Sequence, residues 1–134
     1  MERVGDVYAA AGVDIAAGDA AVSLYKKLAA GWRHRDQLDE LGGFAGLFRL
    51  PGDPSRALVA STDGVGTKVL IAKALGRYDT VGADLVNHCV NDILVSNATP
   101  LFFLDYLATA RLVPDVAAAI VGGVHRACKE NDVA

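Results

Sequence analysis

Apolar and polar residues alternate along this chain in blocks of distinct period. Residues 20–30 place Val22, Leu24, Tyr25 and Leu28 on one side and Lys26 and Lys27 on the other, which predicts a helix begun after Gly18-Asp19 and stopped by Gly31. Residues 42–50 read as a strand entered through glycines, and 58–62 as the next strand. The turn signal Pro51-Gly52-Asp53-Pro54 between them predicts a hairpin with a loop longer than two residues. A helix over 67–75 ends at Gly76, and a longer one covers 80–97, with Val81, Leu85, Cys89, Ile93 and Asn97 at i+4 steps. The near-continuous apolar run 101–107 predicts a strand buried on both faces. Pro114 opens a last helix, carried over 115–129 and ended by Asn131-Asp132. Val133-Ala134 read as the start of another strand, which raises the expectation that the natural protein continues. The glycine- and alanine-rich residues 8–19 are expected to order only by packing.

The densest chemistry sits between the second strand and the helix after it: Ser61-Thr62-Asp63-Gly64-Val65-Gly66-Thr67-Lys68. Asp63 offers oxygen to a hard cation, and Gly64 and Gly66 let backbone N–H groups approach an anion. The start of the helix adds partial positive charge, and Lys68 a full one. The spacing is neither that of a Walker A loop nor that of a dinucleotide-binding fingerprint. The same residues also make a tight turn with an exposed lysine, so the run alone leaves both readings open.

At about 100° per residue, Asp84, His88 and Asn91 on the 80–97 helix fall within about 60° of one another, and Asp92 lies about 40° from His88. Leu85, Val86, Cys89 and Ile93 take the opposite side. Magnesium takes one or two carboxylates with phosphate and water, which Asp63 together with Asp92 or Asp84 could supply. A merely solvated face is the competing reading, and His88 reads as part of that face. Asp105, set between Leu104 and Tyr106, reads equally as a structural carboxylate or a substrate contact.

The 134 residues suffice for one domain with a core, and 52% hydrophobic against 22% charged residues excludes a disordered chain. A net charge of −3 with no basic stripe argues against nucleic-acid binding. The charged start lacks the apolar core of a signal peptide, and no apolar stretch is long enough for a membrane span. The two cysteines, Cys89 and Cys128, form no C-x-x-C; they read as buried thiols in a reducing, cytoplasmic setting.

Several ordered motifs cover nearly the whole chain. They are Ala11-Gly12-Val13-Asp14-Ile15, Leu41-Gly42-Gly43-Phe44-Ala45-Gly46-Leu47-Phe48, the run from Thr62 to Lys68, Tyr78-Asp79-Thr80-Val81-Gly82, Asp84-Leu85-Val86, Cys89-Val90-Asn91-Asp92-Ile93-Leu94 and Pro100-Leu101-Phe102-Phe103-Leu104-Asp105-Tyr106. In this order they resemble the N-terminal part of the phosphoribosylformylglycinamidine cyclo-ligase (aminoimidazole ribonucleotide synthetase) family. The resemblance implies an α+β domain, a mixed sheet covered by helices. Residues 1–134 would be an N-terminal ATP-binding and dimerisation domain, pairing with a second subunit into a β-barrel, with a second domain missing. It implies ATP-driven ring closure of formylglycinamidine ribonucleotide in purine biosynthesis, with ATP and Mg2+ as cofactors and a homodimer as the assembly.

By that resemblance Asp63 and Lys68 are catalytic, and Asp63, Asp92 and Asp84 are metal–phosphate ligands. Gly64, Val65, Gly66, Thr67 and Lys68 cradle phosphate. Gly42, Gly43, Phe44 and Gly46 form a mobile loop near the nucleotide, joined by Lys26 and Asn91. Two stretches depart from the family pattern: Asn87-His88 stands for an expected Ala-Met, and Ser96-Asn97-Ala98-Thr99 for a Gln-Gly-Ala-Glu-like run. The alternatives are another ATP-using enzyme of the same superfamily and a non-catalytic dimerisation or nucleotide-binding module.

Overall fold

A computed structural model describes residues 14–134, and the expectation for residues 8–13 and most of the first family motif lie outside them. The described chain contains α1 (Ile15–Ala29), β1 (Gly46–Arg49), β2 (Ala57–Ala60), α2 (Lys68–Leu75), α3 (Asp79–Val95) and α4 (Pro114–Glu130). Two compact units divide after Leu58.

In the first unit, α1 begins five residues before the predicted start. Asp14 caps it, its Oδ1 accepting from the Ala17 N–H at 3.0 Å. The weaker helix formers Gly18 and Asp19, read as a boundary, are interior residues of α1. The predicted 42–50 strand is confined to Gly46–Arg49, because Gly42 takes φ 117°, a conformation outside any strand. β1 and β2 pair through the turn at 51–55, as expected of a hairpin, and are the one sheet assigned among the described residues. Among the described residues the fold is thus α+β, as expected, with a two-stranded sheet where a mixed sheet was expected.

The second unit is built on α3 and α4. Val86 and Ala127 are fully buried and pack with Val90 and Val124, flanked by Ala83, Phe103, Cys128 and Val133. Two glycines set the closeness of this pair. A Cβ on Gly82 would overlap the Ile120 carbonyl oxygen, and one on Gly123 would overlap the Asp79 carbonyl oxygen. Backbone therefore lies directly on backbone at both points. Arg126 of α4 also reaches Asp79 at the start of α3, 3.7 Å from its carboxylate.

Two helix ends follow the sequence signals closely. Gly76 stops α2 in the left-handed conformation at φ 64°, and Pro114 occupies the first turn of α4. Asn97 also adopts a left-handed conformation, φ 54°, where the family pattern leads one to expect glycine; asparagine is among the residues that tolerate it.

Residues 101–107 do not form the predicted doubly buried strand. Leu104 and Tyr106 are 82% and 90% exposed. The segment makes one ladder step: Phe103 N–H donates to the Ala134 carbonyl at 2.8 Å, and Ala134 N–H donates to the Leu101 carbonyl at 3.1 Å. That bond pair aligns the chain end parallel to Phe102, in keeping with 133–134 as the start of a strand. Backbone pairing makes a strand, and here it extends over a single residue.

Candidate functional site

The loop 61–67 carries the chain from β2 to α2, and its chemistry meets the polar side of α3, all within the second unit. Burial of Val81, Gly82, Val86, Cys89 and Val90 fixes the rotation of α3. The opposite side then presents Asp84, His88 and Asp92, each half-buried, with Asn91 exposed beside them.

Four side chains form a continuous array. Lys68, the first residue of α2, places Nζ 3.1 Å from Asp84 Oδ2 and 3.5 Å from His88 Nε2. The other ring nitrogen of His88, Nδ1, lies 3.3 Å from Asp63 Oδ2. Asp63 also folds back on its own turn, Oδ1 accepting from the Gly64 N–H at 2.6 Å. A separate contact ties the loop to the next turn of α3, where Ser61 Oγ donates to Asp92 Oδ2 at 2.8 Å. These side chains are roughly two-fifths exposed, so the array faces solvent and its ion pairs are screened.

Beneath the array, Cys89 is buried and its thiol is pushed above the ordinary value of 9.0. Desolvation is the main cause; the Asp63 backbone N–H opposes it, while the Asp63 and Asp92 carboxylates add to it. Cys128 is likewise raised by burial. Both thiols are free, and Cys128 is only partly covered.

The structure brings together Asp63, Lys68 and Asp84 through His88, with Asp92 about two turns beyond Asp84 on α3. Each carboxylate already has its own partner, and among the described residues no three His, Cys, Asp or Glu side chains converge as a metal cage. Gly66 takes φ 61°, a conformation that favours glycine, and a Cβ on Gly64 or Gly66 would meet nothing within 4 Å. Val65 is half-buried, and Thr67 precedes α2 without capping it through its side chain. Next to the array, a shallow cleft of about 180 Å³ is lined by Lys68, Ile71, Leu75, Arg77, Thr80 and Asp84 among others.

In the first unit, Gly42 approaches Lys26: a Cβ on the glycine would sit 3.5 Å from Lys26 Cε. Gly43, Phe44 and Gly46 are exposed in the same stretch, and Ala45 between them is buried. Asp105 is exposed.

Sequence reading left Ser61 without a role and placed His88 on a solvated face. Ser61 stands first in the run that drew attention, so a hydroxyl there was visible as a signal. The two contacts of His88 reach residues 20 and 25 positions away, which helical periodicity cannot reveal.

The chain is an α+β protein with a carboxylate–lysine array at a strand-to-helix turn. Residues 42–134 match the family described as AIR synthase related protein, N-terminal domain, and the chain belongs to that family. It is 55% identical over 124 residues to the phosphoribosylformylglycinamidine cyclo-ligase of Sorangium cellulosum (strain So ce56), covering 92% of this chain and 36% of that protein. It is 53% identical over 123 residues to the enzyme of the same name from Xanthomonas euvesicatoria pv. vesicatoria (strain 85-10), covering 91% of this chain and 36% of that protein. The chain thus spans about a third of the length of these curated relatives. Among the described residues, no helix is long and apolar enough to cross a membrane.

Proposed function

We propose that this chain supplies the N-terminal domain of a cytoplasmic phosphoribosylformylglycinamidine cyclo-ligase acting in purine biosynthesis. The observation that carries the reading is identity above one half, across nine-tenths of the chain, to proteins of that name. In the proposed reaction the γ-phosphoryl group of ATP passes to the formyl amide oxygen of formylglycinamidine ribonucleotide. An amidine nitrogen then attacks the activated carbon and expels phosphate, closing the imidazole ring and leaving ADP. The demand on the protein is to place the amide oxygen in line with the γ-phosphorus and the leaving ADP oxygen, and to neutralise the charge on the transferring group.

The arrangement supports distinct roles for this chain's residues. Lys68 and the backbone of Gly64, Val65, Gly66 and Thr67 would hold phosphate, and the open space at Gly64 leaves room for a close anion. Asp63 and Asp92, with Asp84, would hold magnesium. Separately partnered, part-exposed carboxylates suit a cation that takes one or two of them and completes its shell with phosphate and water. Bound there, magnesium would neutralise the transferring phosphoryl group. In the second unit, Asn91 would contact the nucleotide; in the first, Gly42, Gly43, Phe44 and Gly46 with Lys26 would form a loop of their own. The assembly in this reading is a homodimer whose N-terminal domains join their sheets as a barrel.

The full-length protein tests the reading. ADP release that depends on formylglycinamidine ribonucleotide, and falls at least about 100-fold in Asp63→Asn with an unchanged circular dichroism spectrum, is the expected result. ADP release that responds instead to another superfamily substrate would overturn it, and near-normal turnover in Asp63→Asn would remove the ligand role.

A further inference from the structure

α3 is the anchored element of the site, with Val86 fully buried and Cys89 and Val90 buried beside it. Loop 61–67 has no regular secondary structure through residue 65, and Thr62, Asp63 and Gly64 are exposed. The loop therefore needs ties to α3 if Asp63 is to keep a fixed position relative to Lys68. Ser61 is one tie, through Asp92. The Asp63 backbone N–H facing the Cys89 thiol is a second, and His88 is a third; among the described residues His88 alone joins the Asp63 side chain to Lys68.

For a neutral His88 ring the donors and acceptors fit one arrangement. A lysine ammonium has only donors and an ionised carboxylate only acceptors. His88 Nε2, facing Lys68 Nζ, must accept; Nδ1, facing Asp63 Oδ2, must carry the hydrogen and donate. The resulting chain runs from Asp84 through Lys68 and His88 to Asp63. Asp84 and His88 stand one turn apart on α3, so the lysine is held from two points on a single rigid face.

We propose that His88 is a positioning residue, held as the Nδ1–H tautomer, that sets Asp63 and Lys68 in one register for phosphate. Its role in turnover rests on the function proposed above; its tautomer and contacts do not. Removing the ring leaves the Lys68–Asp84 pair and the Asp63–Gly64 turn in place, so the fold is expected to survive.

The test uses the full-length protein with His88→Ala, His88→Asn and His88→Gln. Asparagine keeps a donor near the Nδ1 position, and glutamine an acceptor near Nε2. The expected result is a kcat about 10- to 100-fold lower in the alanine variant, with partial recovery in the asparagine or glutamine variant and melting temperatures matching the parent. A kcat for His88→Ala within about threefold of the parent, or equal loss in all three variants, overturns the proposal. Ring 15N NMR supplies the readout independent of turnover: Nδ1 is expected protonated and Nε2 bare, and the opposite tautomer overturns the assignment. A parent protein lacking the proposed turnover would overturn the cyclo-ligase reading, while the NMR result would still decide the contact.

Discussion

Ser61 Oγ and Asp92 Oδ2 lie 2.8 Å apart, joining the loop after β2 to α3 across 31 residues of sequence. The bond is charge-assisted but half-exposed, which places its worth near that of an ordinary hydrogen bond. Ser61→Ala is expected to lower the unfolding free energy by about 1 kcal/mol. Urea denaturation checks this, and an unchanged midpoint would mean that the loop is held by other contacts.

Adjacent glycines in α4 should respond with opposite sign. Gly122 has open space around its missing side chain, so Gly122→Ala is expected to stabilise the helix by about 1 kcal/mol. Gly123 lies on the Asp79 carbonyl, and Gly123→Ala must push two backbones apart. Its cost is expected at or above about 3 kcal/mol, with Gly82→Ala similar. Thermal melts of the three variants decide the matter; equal effects at 122 and 123 would contradict the helix contact.

Asn97 holds φ 54° just beyond α3. Glycine should be accepted there at no cost, whereas Asn97→Val is expected to lose about 1–2 kcal/mol because a branched side chain is strained in the left-handed region. Chemical denaturation of the pair checks it, and equal stability would show that the turn relaxes.

The buried thiols give a pH dependence of definite sign. Burial raises Cys89 and Cys128 above 9.0, so the folded chain keeps its protons where the unfolded chain loses them. Their contribution to stability is intact below pH 9.0 and is lost as pH rises from there toward the folded values. Alkylation by iodoacetamide at pH 8.5 should be slower for Cys89 in the folded than in the urea-unfolded protein. Equal rates would mean the thiol is accessible.

Local signals were legible where one residue dictates backbone conformation. Gly76 and Pro114 placed the end of α2 and the start of α4 correctly because a left-handed stop and a fixed φ need no distant partner. The α1 start was missed because its cap, Asp14, lies before a stretch whose Gly18 and Asp19 resemble a boundary. Hydrophobicity alone predicts a strand over 101–107, but strand formation depends on a neighbouring chain, and only Ala134 supplies one among the described residues. At the site, the residue types and helical face were readable in advance. The bridging position of His88 was not, since it arises from how loop 61–67 returns onto α3.

The glycine contacts between α3 and α4 have a dynamic consequence. With no side chains to act as a compliant layer at those two crossings, neither helix can slide or tilt by itself. The inward-facing amides of both should therefore exchange with deuterium through one shared opening, at a common free energy and with a common response to denaturant. The carboxylates and histidine carried on the outer side of α3 would then ride on a platform twice the width of their own helix.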